Sequence, residues 1–162
     1  MLISIDTSVV VGLLDSRDHW HCAATSLQAA LVAGGFAPVY FDCVVTEAVS
    51  TLARRLREKR REAELPDLWN RLSTSLPENT LTWVLPDVPR LYSLVMDLIR
   101  TSDGELNFND SLIALACRER HIEALASFDR DFDRLSWLKR VSTPEDIRAF
   151  LTAANKPPEG QA

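Results

Sequence analysis

Short apolar runs of strand length alternate with longer stretches of helical periodicity along almost the whole chain, and this alternation is the strongest constraint on its fold. The runs are LISI (residues 2–5), PVYF (38–41), LTWVL (81–85), IEALAS (122–127) and WLKRV (137–141). Between them lie VVVGLLD after a Thr7–Ser8 cap, a stretch over 19–33 stopped by Gly34 and Gly35, and a long helix over 44–61. That helix is marked by Val45, Val49, Leu52, Ala53 and Leu56 at spacings of three and four. Further helices follow near Leu65, after Pro89, at Asp110 and after Thr143, where Thr143 and Asp146 make a capping box. Strands alternating with helices predict an α/β fold with a parallel sheet flanked by helices on both faces. One domain over residues 1–150 is expected, with 151–162 a disordered tail.

Such sheets bind ligands beyond the carboxyl ends of their strands, so acids placed there carry information. Asp6 follows the first run, and Asp129 lies just past the fourth. Asp110 opens the helix leading into the fourth run, and Glu47 sits in the first turn of the helix after the second. Singly, Asp6 and Asp110 read equally well as helix caps, and Glu47 as an acid favoured by the helix dipole. Jointly they converge on one sheet edge. Carboxylates held together resist ionisation. A hard divalent cation removes that conflict, and Mg²⁺ or Mn²⁺ takes such oxygen ligands. The cation also activates water and neutralises charge on a phosphodiester. The net charge of −5 makes a cation or a local basic patch necessary for any contact with nucleic acid. The segment RRLREKRR supplies a patch: Arg54, Arg55, Arg57, Lys59, Arg60 and Arg61. It reads as a solvated helix end or as a phosphate contact. Arg54 and Arg55 lie roughly 10–12 Å from Glu47 along the helix axis.

Four pieces, IDTSVV (5–10), VVTEAVSTLARR (44–55), NFNDSLIALACRERHI (107–122) and ASFDRDFDRL (126–135), match in order and spacing those of a known family. Over residues 1–150 the chain resembles the PIN-domain nucleases, and among them the VapC-type toxins of bacterial toxin–antitoxin pairs. The resemblance implies a five-stranded parallel sheet between helices and an Mg²⁺- or Mn²⁺-dependent endoribonuclease that hydrolyses RNA by cation-activated water. It makes Asp6 and Asp110 direct metal ligands, Asp129 a ligand directly or through water, and Glu47 an outer ligand or water orienter. Thr7 and Ser8 follow the first acid as small hydroxyl residues for water or phosphate. Ser127 stands where the family commonly has a hydroxyl, often Thr. Arg54, Arg55 and Arg57 become RNA-binding candidates. A homodimer, built on helices such as that around Trp69 and Leu72, and a small inhibitory antitoxin inserting an Arg are also implied.

Other chemistries fit less well. Asp129, Asp131 and Asp133 alternate like the start of a calcium loop, but Arg134 and Arg140 stand where it needs Gly and Glu. Haloacid-dehalogenase phosphatases place an Asp two residues after the first, and here that residue is Ser8. An RNA-processing PIN nuclease outside toxin–antitoxin systems, and a catalytically dead PIN scaffold, remain as alternatives. The latter is opposed by all four acids being present. His19 and His21 are read as surface or capping residues. Cys22, Cys43 and Cys117 make no CxxC pair, which fits reduced thiols. With neither a leader-like start nor an apolar run of spanning length, a cytoplasmic protein away from membranes is expected.

Overall fold

The computed structural model describes residues 1–154. Five parallel strands form one sheet in the order β3-β2-β1-β4-β5. They are β1 (Leu2–Ile5), β2 (Ala37–Phe41), β3 (Leu81–Thr82), β4 (Ala124–Ala126) and β5 (Lys139–Val141). The helices are α1 (Thr7–Leu14), α2 (His21–Ala33), α3 (Asp42–Glu58), α4 (Leu65–Ser75), α5 (Val88–Thr101), α6 (Phe108–Glu119) and α7 (Pro144–Ala154). The expected α/β class and five-stranded parallel sheet are both observed.

The chain steps outward from β1 to β2 and β3, then returns to the other side of β1 for β4 and β5. The reversal puts a topological switch point between β1 and β4, where doubly wound sheets open a crevice. The register pairs Ser4 with Leu125 and Ile5 with Ala126. The ladder runs one step further, since the Asp6 amide donates to the Ala126 carbonyl at 3.0 Å. Asp6 is thereby fixed at the lip of that crevice.

Central strands covered on both faces become apolar throughout, and Ile3, Ile5, Ala124, Leu125 and Ala126 are all buried. The core continues through α6, whose Leu112 to Cys117 are buried without interruption. Gly12 lets α1 approach α2: a Cβ there would lie 3.0 Å from that of Ala24.

Several boundaries differ from expectation, each for a local reason. The third strand keeps only two residues of the run 81–85, because Pro86 turns the chain at Leu85–Asp87. Helix α3 begins at Asp42 and stops at Glu58, short of the predicted 61, and Arg60 takes a left-handed φ of 54°. The N-cap of α1 is Asp6, whose carboxylate accepts from the Ser8 amide, and not Thr7 or Ser8. Leu72, expected beside Trp69 on an interface, is buried in the core, whereas Trp69 is 53% exposed. The Thr143–Asp146 capping box is present. Helix α7 runs to Ala154, so it passes the boundary expected at 150. The rest of the expected tail, 155–162, lies outside the described residues.

Candidate active site

Asp6, Thr7, Ser8, Glu47, Asn107, Asp110 and Asp129 line one cavity of about 200 Å³, together with Thr51, Arg54 and Arg55. Asp6 and Asp129 follow strand ends and Asp110 lies in the first turn of α6, as expected. Glu47 instead lies in the second turn of α3, because that helix starts at Asp42 and its first-turn acid is Asp42. Each carboxylate is held in the same way. Asp6 Oδ2 accepts from the Ser8 hydroxyl at 2.6 Å and the Ser127 hydroxyl at 2.8 Å. Asp110 Oδ2 accepts from the Asn107 amide at 3.0 Å in a capping box. Asp129 Oδ1 accepts from the Asp131 amide at 2.9 Å. Glu47 Oε2 accepts from the Thr7 hydroxyl at 3.1 Å and the Asn109 side-chain amide at 3.3 Å. In every case one carboxylate oxygen is tied down, and among the described residues no protein donor reaches the other. Nor does any of the four form an ion pair among the described residues.

The electrostatics follow. Burial raises the Asp110 carboxyl, and the charges of Asp6, Asp129 and Glu47 raise it further against the Asn107 amide, to about 7. Burial also lifts Asp6, opposed by the Ser8 and Ser127 hydroxyls. A cluster of repelling carboxylates, each keeping one oxygen without a protein donor among the described residues, suits a hard cation. Among the described residues no three His, Cys, Asp or Glu side chains stand close enough together to form a metal cage. The donor set is all oxygen and already oriented by neighbouring hydroxyls and amides, so its chemistry fits Mg²⁺ or Mn²⁺.

A family model for the PIN domain matches residues 3–138. The chain belongs to the PIN domain family. Among solved structures, the Mycobacterium tuberculosis toxin VapC20, described as cleaving the sarcin–ricin loop, is similar to it with a TM-score of 0.62. The two are 22% identical over 84% of this chain and 96% of that one, a likeness of fold. No curated protein matches the sequence.

The basic segment of this PIN domain divides by environment. Arg54 is exposed on the cavity rim. Arg55 also lines the cavity, but its guanidinium is paired with the buried Asp18. Arg57 is exposed on α3, outside the residues lining the cavity. Arg61 turns away to bind Asp15 at 2.8 Å and Glu64 at 2.7 Å.

Two cavity residues, Asn107 and Thr51, and the Glu47 partner Asn109 escape a sequence reading. Asn107 and Asn109 both precede Asp110, the first as the helix cap and the second as a partner of Glu47, and the NFND string holds them. Thr51 lies one helical turn beyond Glu47 on α3. The buried Asp42, also unanticipated, accepts from the amides of Cys43, Val84 and Leu85, and so pins the end of β3 to α3. Among the described residues, no helix is long and apolar enough to cross a membrane.

Proposed function

We propose that this PIN domain is a divalent-cation-dependent endoribonuclease acting as the toxin of a toxin–antitoxin pair. The observation that carries the reading is the cavity in which four carboxylates each keep one oxygen fixed and one free. Asp6, Asp110 and Asp129 would hold the Mg²⁺ or Mn²⁺, which when bound neutralises phosphodiester charge and makes water more acidic. The chain's own groups do the rest. Ser8 and Ser127 keep Asp6 turned into the cavity. Glu47, held by Thr7 and Asn109, orients the attacking water and receives its proton. Arg54 neutralises a flanking phosphate, a contact that adds affinity with little sequence preference. The likeness to a toxin that cuts a ribosomal RNA loop supports RNA as substrate.

An acidic cavity is also a receptor for an inserted Arg, which pairs with carboxylates in bidentate fashion. A small antitoxin inhibits in this way. Expression without that partner arrests growth, and Asp6→Asn relieves the arrest. Harmless expression of a protein that cuts RNA in vitro would place the nuclease outside toxin–antitoxin systems. In this reading the protein is a homodimer, with exposed apolar side chains such as Trp69 on α4 available for a two-fold contact. Light scattering at micromolar concentration should give twice the monomer mass, and a monomer contradicts the dimer.

A further inference from the structure

The connection between α1 and α2 carries Trp20, which is 38% exposed. It lies outside the residues lining the acid cavity but packs against the neighbour of one of them, Asp129. Its indole stacks on Phe128, with centroids 4.6 Å apart and planes 10° from parallel. Phe128 lies between Ser127 and Asp129, and its amide donates to the Ser8 hydroxyl at 3.0 Å, the same hydroxyl that donates to Asp6. One hydrogen-bond chain thus ties the aromatic pair to the first acid of the cavity. His19, its side chain 68% exposed, lies tilted against the same indole at 4.7 Å.

The platform is built. Asp18, 8% exposed, accepts the Trp20 amide at 2.8 Å through Oδ1 and binds the Arg55 guanidinium through Oδ2. A single buried carboxylate therefore sets both an exposed aromatic and a cation that lines the cavity. His21 closes the loop from the other end, its Nδ1 lying 2.8 Å from the Gly12 carbonyl oxygen. An exposed indole joined through Asp18 to Arg55, with Arg54 on the rim of the cavity, is a combination that suits single-stranded nucleic acid. Stacking takes any base, and guanidinium groups take the backbone.

Resting on the ribonuclease reading above, we propose that Trp20, backed by Phe128, is a stacking subsite for an unpaired nucleobase next to the scissile phosphate. Asp18 acts as its positioning residue. The subsite selects unstacked RNA, such as a loop, over a continuous helix, because bases inside a duplex cannot reach the indole.

The test compares the parent protein with Trp20→Leu, which keeps apolar volume without an aromatic face, and Trp20→Phe, which keeps a face. Each also carries Asp110→Asn for binding measurements, so the RNA survives. Two fluorescent probes are used: a single-stranded oligoribonucleotide of mixed sequence, and an oligomer of equal length and charge with abasic riboses. Trp20→Leu should weaken the base-containing probe about ten-fold and leave the abasic probe unchanged. Trp20→Phe should recover most of the loss. In the cleaving proteins, the same loss should appear in KM with kcat nearly kept. Equal weakening of both probes, or none, overturns the subsite while the nuclease reading stands. A folded parent that neither binds nor cuts the RNA overturns the nuclease reading, and the subsite with it.

Discussion

At the scale of single residues, catalytic competence and stability pull in opposite directions at Asp110. Its carboxyl is raised to about 7 by burial and by three neighbouring acids, so its ionised form is held at a cost to the fold. The amide of asparagine keeps the oxygen that caps the Asn107 amide but removes one of four repelling charges. With chelator at pH 8, Asp110→Asn should therefore melt a few degrees above the parent, while RNA cleavage disappears. Thermal melts followed by circular dichroism, beside a cleavage assay, check both halves. A variant less stable than the parent in chelator would show that repulsion at this site is slight. Asp6, Asp110 and Asp129 were visible in the sequence because each sits at a strand end or helix start, a place readable from hydrophobic pattern. Glu47, in the second turn of α3, stands out only because the pattern starts that helix at Val44. Asn109 and Thr51 were not visible: the first matters through its contact with Glu47 on another helix and the second through the cavity it lines, and periodicity within one helix says nothing of either.

At the scale of elements, an ion-pair network ties the end of α1 to the segment after α3, two helices that both contribute residues to the cavity. Asp15, at the C-cap of α1, is buried and bound by two nitrogens of Arg61, whose side chain is 10% exposed. The Arg61 hydrogen bonds hold the Asp15 carboxyl below the ordinary carboxylate range. The sign follows from that depression. The stabilisation is complete above the unfolded carboxylate value near 4 and is lost as pH falls through the lowered folded value. Asp15→Asn should cost about 3 kcal/mol at pH 7, as expected for removing one partner of a buried pair. The difference from the parent should shrink in acid. Urea unfolding at neutral and acidic pH measures this, and a difference independent of pH would remove the ion pair from the account. The pattern RRLREKRR had suggested a single basic patch. The structure divides it because the left-handed turn at Arg60 swings Arg61 back onto Asp15, and Asp18 captures Arg55. Neither acid is near the patch in sequence, so local spacing held no sign of the pairing. The short β3 was equally hidden, since the run LTWVL reads as a strand until Pro86 and the Asp42 clamp are placed.

At the scale of the whole molecule, the strand order explains why a chain of net charge −5 concentrates acids where an anionic polymer would react. The reversal at β1 opens a crevice between β1 and β4, and the residues following those strands, Asp6 and Asp129, flank it. Helices α3 and α6 bring Glu47 and Asp110 to the same opening. The α/β class and the parallel sheet follow from the alternating pattern, but the strand order and the place of the reversal do not, because a pattern along the chain carries no information on which strands pair. The fold places oxygens, and a cation turns them into a site. The most direct measurement is cleavage of a single-stranded RNA by purified protein during titration with Mn²⁺ or Mg²⁺, with EDTA as control and Asp6→Asn as the variant. The account predicts cleavage that rises with the cation, vanishes in EDTA, returns when the cation is restored, and is absent from Asp6→Asn although its circular dichroism matches the parent. Cleavage that persists in EDTA, or full activity in the folded Asp6→Asn protein, would contradict it.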